Sequence, residues 1–414
     1  MIIVVSFLVV FLIGVLIHTN DINETYSLCC VFVVFISAVV YILKYQKEYG
    51  FVLLTSFLIR LIILFADYYK LFPIIGSGSD TEFFYEISVA KAIGKPVDYL
   101  TNYTVFLTYL FKLIGPQRLF AQLINVLCSF GTIIYIIMSI KQINIKNNRI
   151  IPSLVLIASF TPQVVLFSGV LLRESLITFF LSISVYYFIR YIQTMKIWYT
   201  VAIFGSIFVC TFFHTGMIMG LLGYAVVIVL YSKQKRKLDL SFIKIAKIIV
   251  LLYVLFSFVT SVDIFTDYFD SIMKGEDSEQ ALLDRLNYET KAGSAYLSTI
   301  KFDTTSSIIL LFPIKEFYFL FSPLPWDFRN FVDVLSFILD SCIFFFLFYV
   351  IIKNKDNRNG GSFSLILLFF FLTILYALGT TTAGTAIRHR DTIMPVLIVA
   401  AALSCIYKSR SVNK

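Results

Sequence analysis

The sequence predicts an all-α fold, a polytopic transmembrane helix bundle of about twelve spans of about 20 residues each. Three observations carry that expectation. Of 414 residues, 59% are hydrophobic and only 14% charged, with a mean hydropathy of +0.88, whereas a soluble domain carries about 25% charged residues. Apolar stretches of spanning length recur along the whole chain. The basic residues gather in alternate loops between them.

The predicted spans lie near 2–18, 28–43, 50–66, 119–140, 150–167, 170–189, 197–213, 215–231, 245–262, 331–352, 363–380 and 392–407. The first has no basic segment ahead of it and no small-residue cleavage site, so it reads as a retained span and not as a cleaved signal. Phe and Tyr are abundant, 44 and 25 residues, which suits helices facing lipid and rings anchored at its interface. Cys29, Cys30, Cys128, Cys210, Cys342 and Cys405 fall in or beside apolar runs without zinc-ligand spacing, and read as small packing residues. No metal site or cofactor is expected, and no internal repeat or soluble segment interrupts residues 1–414, which read as one membrane domain.

Orientation follows from the basic residues. With the N-terminus inside, the cytoplasmic segments hold nineteen basic residues against three acids, Glu48, Asp239 and Asp356. Short cytoplasmic loops are enriched in Lys and Arg in this way. The net charge of +9 is therefore an orientation signal, and nucleic acid is excluded as a partner. The expected location is a bacterial plasma membrane, crossed many times. Two outer segments are long, 67–118 and 263–330, and each contains a second apolar stretch, 103–115 and 305–325. Counting either as one more span would turn the basic loops outward, so they read as helices lying in the interface or re-entering it, bent by Pro116, Pro313, Pro323 and Pro325.

The outer face collects the chemistry-bearing residues. The first long segment reads Gly76-Ser-Gly-Ser-Asp80-Thr-Glu82-Phe-Phe-Tyr85. Ser79 or Asp80 caps the helix that follows, on one reading; on the other, Asp80 is a carboxylate at the membrane surface that takes a proton from an attacking hydroxyl. Glu82, two residues on, points elsewhere on the helix and is the weaker catalytic candidate. Arg173-Glu174 opens the sixth span, as an end-of-helix ion pair or as a group facing an anionic headgroup. The last outer loop, Gly384-Thr-Ala-Ile-Arg388-His389-Arg390-Asp391, places two arginines and a histidine outside, against the inward bias of basic residues. Guanidinium groups pair with phosphate in bidentate geometry, which makes Arg388, His389 and Arg390 candidate phosphate ligands. His214 reads as an interfacial histidine, and Arg60 and Asp340, at similar depth in their spans, as a pair with each other.

Asp80 with Phe84-Tyr85, Ala90 and Gly94, followed by Tyr103, Phe111-Lys-Leu-Ile-Gly115, Arg118-Leu-Phe and Asn125, resembles the opening of the GT-C glycosyltransferases. Arg388-His-Arg390-Asp-Thr-Ile-Met-Pro395 resembles the entry to their last helices. The likeness covers roughly residues 80–190 and 384–402. It departs in having more than one span ahead of Asp80, no paired acids there, and no C-terminal soluble domain. The resemblance implies transfer of a sugar from a polyprenyl-phosphate carrier to an acceptor at the outer face. Asp80 would then serve as base, and Arg388 and Arg390, with Arg173, would hold the carrier phosphate. The O-antigen and capsule polysaccharide polymerases, which join lipid-linked repeat units, are the nearest alternative. A transporter or flippase of lipid-linked sugars is a third.

The orientation is testable. In a cysteine-free background, a cysteine placed at Ser232 is expected to resist an impermeant thiol reagent added to intact cells. Labelling at Ser232 would overturn the topology.

Overall fold

The computed structural model describes residues 24–405, apart from 73, 75–77, 98, 144–148, 233, 235–236, 262–294, 298–303 and 355–359. The expected span 2–18, Gly76, the basic residues Lys146, Lys233, Lys235, Arg236, Lys355 and Arg358, and the tail with Lys408, Arg410 and Lys414 lie outside the described residues.

The described chain is mostly helical. Seven helical stretches are long and apolar enough to cross a membrane: Tyr26–Tyr45, Lys47–Tyr68, Arg118–Ile143, Ile150–Gly169, Glu174–Thr194, Phe331–Lys353 and Gly360–Gly379. Each overlaps a predicted span. Two shorter apolar helices, Ile197–Phe213 and Thr215–Leu230, coincide with two more. By its contacts the chain forms two compact units, Met1–Ile134 with Val155–Phe179, and Tyr135–Leu154 with Phe180–Lys414.

The first unit contains α1 (Glu24–Tyr45), α2 (Gly50–Tyr68), α3 (Ser79–Ala92), α4 (Asn102–Ile114) and the start of α5 (Arg118–Ile143). The end of α6 (Ile150–Phe160), α7 (Pro162–Gly169) and the start of α8 (Glu174–Thr194) complete it. Pro162 divides the predicted 150–167 span. At the first position of α7 its missing N–H costs nothing, since that donor has no intrahelical acceptor. The expected helix at 103–115 forms as α4, where the Thr101 hydroxyl accepts from the Thr104 N–H at 3.2 Å and Gly115, at φ 79°, ends it. Helix α3 pairs with α4 through Phe84 on Tyr103, Tyr85 on Phe111, and a bond from the Ser88 hydroxyl to the Thr104 carbonyl at 3.2 Å.

The second unit holds the remainder of α5, α6 and α8, then α9 (Ile197–Phe213) and α10 (Ile218–Leu230). A two-residue-by-two-residue antiparallel hairpin follows, β1 (Tyr231–Ser232) with β2 (Lys237–Leu238). Then come α11 (Phe242–Ser261), α12 (Thr305–Phe321), α13 (Phe331–Ser336), a π turn at Phe337–Ser341, α14 (Cys342–Lys353), α15 (Gly360–Gly379) and α16 (Ala383–Ser404). Helix α16 is the core of this unit and is buried continuously from Arg390 to Ser404. It differs from expectation at its start. Residues 384–391, read as an outer loop, are helical, capped by the Thr382 hydroxyl accepting from Thr385 N–H. The Arg390 charge that suggested a loop is accommodated by partners from other elements.

Close approach within the first unit is set by glycine. A Cβ at Gly169 would stand 2.7 Å from the Leu64 backbone nitrogen and 2.9 Å from the Ile63 carbonyl carbon, so no side-chain movement relieves it. Gly169→Ala is expected to part α7 from α2 and cost about 1–3 kcal/mol. Gly205→Ala, where nothing lies within 4 Å, is expected to leave stability unchanged or raise it. Denaturant unfolding of the two variants in mixed micelles checks the contrast.

Candidate functional site

The start of α3 is where the first outer segment presents its acids. The N-cap position of this helix is taken by Gly78, which has no side chain to cap with. Instead, the Thr81 hydroxyl accepts from the Gly78 N–H at 3.2 Å and donates to the Gly78 carbonyl at 3.0 Å. The capping reading of Asp80 is thereby corrected, because Gly78 occupies the cap and Asp80 falls inside the first turn. Asp80 is exposed there.

Glu82 has a different situation. Both of its carboxylate oxygens accept from Nη1 of Arg118 at 2.8 Å. Nη2 of the same guanidinium donates to Asp67 at 3.1 Å, and the Gln122 amide donates to that Asp67 oxygen at 2.6 Å. Arg118 also lies over the Tyr85 ring, 5.5 Å from its centroid. One arginine therefore fixes the first turn of α3 to the end of α2 and the start of α5. Arg118 and Asp67 are largely buried in this charge-assisted network while Glu82 stays partly exposed, and a shared, partly desolvated network is more rigid than an isolated surface pair. Glu82 works here as an anchor. Its carboxylate is engaged and is a poor candidate for proton transfer.

Arg173 stands immediately before α8, and Glu174, buried, is the first residue of that helix. The approach to them is held by Asn125, whose side-chain nitrogen donates to the carbonyls of Val170 at 2.7 Å and Leu172 at 2.8 Å. Tyr103 is fully buried beside this turn, close enough to feel both Glu174 and Arg173, and burial pushes its phenol up from the ordinary value. Asn125 and Tyr103, quoted above only as parts of a resemblance, thus position the Arg173 segment.

Within the second unit, Arg388, His389 and Arg390 open α16 together, but they do not act alike. Arg390 is 0% exposed. Its Nε and Nη2 donate to Asp340, Nη1 donates to the carbonyls of Phe319 at 3.2 Å and Ser322 at 2.6 Å, and Nη2 also donates to the Ser341 hydroxyl at 3.1 Å. A guanidinium has five N–H donors, and all are used. The expectation that Arg390 grips a phosphate is corrected: no donor remains for a ligand, and no water reaches the group. Arg388 and His389 are half-buried. His389 stacks on Tyr376 at 4.7 Å and meets His214 edge-on at 5.0 Å, so His214 belongs to an aromatic cluster that the sequence did not reveal.

The expected Arg60–Asp340 pair is also corrected. Asp340 serves Arg390. Arg60, fully buried in α2, donates to the Ser129 hydroxyl at 2.9 Å, to the Ser159 carbonyl at 2.9 Å and to Ser56. Similar depth in two spans is no guide to partnership when serines and free carbonyls are nearer.

Among the described residues no group of three or more His, Cys, Asp or Glu side chains is placed to hold a metal ion. No family model, curated protein or solved structure matches the chain.

Breaking the internal pair at Arg390 gives a clear prediction. Arg390→Met leaves Asp340 charged and buried, which is expected to cost about 3–5 kcal/mol. The double variant Arg390→Met with Asp340→Leu is expected to recover most of that loss, as apolar replacement of a whole buried pair does. Unfolding titrations of the single and double variants measure the difference, and an equal loss in both would refute the assignment.

Proposed function

We propose that this chain is an integral membrane glycosyltransferase that moves a sugar from a polyprenyl-linked donor to an acceptor, in assembly of a cell-surface glycan. The observation that carries this reading is the start of α3, where Asp80 is exposed in the first turn of a helix that Arg118 clamps through Glu82 and Asp67. A base has to be held still against its substrate while staying accessible to it. Asp80 meets both conditions, and Glu82 supplies the stillness. The resemblance of this stretch to the GT-C enzymes points the same way.

In this reading about twelve helices span the plasma membrane of a bacterium, with the active face outward. Helix α4, and α12 in the second outer segment, lie in the interface or re-enter it. The Asp80 carboxylate takes the proton of an acceptor hydroxyl as its oxygen bonds to the anomeric carbon. The bond from that carbon to the carrier phosphate breaks, and the phosphate leaves with the electron pair. Arg173, in the same unit as Asp80, is the remaining candidate to stabilise that developing charge. The polysaccharide polymerase reading stays the nearest alternative, and the internal engagement of Arg390 removes that residue from the phosphate ligands of either reading.

One observation favours a second reading, a transporter or flippase of lipid-linked sugars. Asp340, Arg390 and Asp391 are buried together in apolar helices, and intramembrane charge often marks a transport path. Proteoliposomes with a labelled polyprenyl-linked sugar separate the two, because transfer makes a new glycosidic bond and flipping does not.

Asp80→Asn keeps the size of the side chain and its ability to accept a hydrogen bond, so it is expected to insert and fold normally and to lower turnover per folded molecule by about 100-fold or more. Glu82→Gln is expected to lower stability more than Asp80→Asn does and turnover less. Near-wild-type turnover in Asp80→Asn would remove Asp80 from the mechanism.

A further inference from the structure

Asp391 follows Arg390 in α16, and its side chain is as deeply buried, at 3% exposure. Neither of its carboxylate oxygens receives a hydrogen bond from any protein donor. Yet its carboxyl group lies within hydrogen-bond reach of Asp340, the same residue that serves Arg390. Asp340 gives one oxygen, Oδ2, to both the Nε and Nη2 donors of Arg390, while Oδ1 is buried and accepts from nothing. Three buried carboxylate oxygens therefore face one another's surroundings without a donor.

The charges do not balance either. Arg390 supplies one positive charge, and its five N–H groups are already placed on Asp340, Ser341, Phe319 and Ser322. Two ionised aspartates beside it would leave a buried negative charge with no counter-ion. Moving an unpaired carboxylate out of water is so costly that such a group takes up a cation instead. Two carboxyl groups in contact share a proton for the same reason, because like charges at that distance cannot both ionise. A metal ion fits less well, since no third acidic, histidine or cysteine side chain among the described residues completes a set, and the guanidinium beside the pair would repel it.

We propose that Asp340 and Asp391 form a buried proton-binding site in which one proton, carried by Asp391, bridges to Asp340 and makes the cluster with Arg390 neutral. The site is built where a π turn, Phe337–Ser341, sets Asp340 against α16. Turns of this kind are inserted locally into helices and are frequent at functional positions. The inference does not rest on the sugar chemistry proposed above, and it holds for an enzyme or a transporter alike.

Infrared spectroscopy of the full chain in lipid at neutral pH tests it, since a neutral carboxylic acid has a carbonyl stretch that carboxylates lack. Wild type minus Asp391→Asn is expected to show one such band, shifted in deuterated water. Glu316→Gln, which removes the half-buried carboxyl bonded to Thr373, is expected to leave the band in place. Asp391→Asn is expected to fold, because an amide can donate to Asp340 as the protonated acid does. Absence of the band from that difference, or failure of Asp391→Asn to fold, overturns the proposal. So does a rise in the unfolding midpoint on adding sodium or calcium that Asp391→Asn abolishes, which would mark a metal site.

Discussion

A chain this apolar has to satisfy its buried charges from within, because neither lipid nor a packed interior offers water to do it. Three arginines show three solutions. Arg60 carries no acidic partner among its bonds and is surrounded by small polar groups, Ser56, Ser129 and the Ser159 carbonyl. Arg118 sits between two carboxylates at the end of its helix. Arg390 combines one carboxylate with a hydroxyl and two backbone carbonyls. Each also joins helices far apart in sequence, so satisfying the charge and fixing the local architecture are one event. The serines near Arg60 and the carbonyls at the end of α12 are where they are because a guanidinium needs them.

That dependence explains how much of the fold could be read from sequence. Helix existence follows from length and apolarity, which are local properties, and the seven long apolar stretches each overlap a predicted span. The start of α16 was read as a loop because Arg388-His-Arg390-Asp391 is too polar for a span taken alone. Its partners, Phe319, Ser322 and Asp340, come from 50 or more residues away, and no local window contains them. The same distance hides the Arg118–Asp67 and Arg118–Glu82 bonds, whose partners are 51 and 36 residues apart. The expected cap on α3 is displaced for a more local reason: Gly78 takes the N-cap position, and the Thr81 hydroxyl bonds back to its N–H and its carbonyl.

The candidate site inherits this division. Asp80 and Glu82 are two residues apart on a helix, and such residues do not face each other. One can be turned inward to the clamp while the other stays at the surface, which is what their environments show. The sequence reading already set Glu82 apart as the weaker candidate, pointing elsewhere on the helix, and the bond to Arg118 shows where it points. At the other end, the run of three basic residues splits in the same way. In a helix, successive side chains are about 100° apart, so Arg390 can be wholly internal while Arg388 and His389 stay half-buried.

Helix α12 shows how the second outer segment takes part in this. Its last turn is inside the unit, with Phe319 at 0% and Leu320 at 4% exposure, and the carbonyls of Phe319 and Ser322 there receive Arg390. Its first half is the reverse, with Ile309 and Leu310 both more than three-quarters exposed. Seventeen residues with Pro313 inside are short for a crossing, which needs about 20. A helix whose end carbonyls neutralise a buried arginine cannot slide outward without unmaking that contact, and its exposed apolar half requires a non-aqueous surrounding. Both conditions are met together by a helix whose first half lies against an apolar layer and whose last turn ends at the Arg390 cluster.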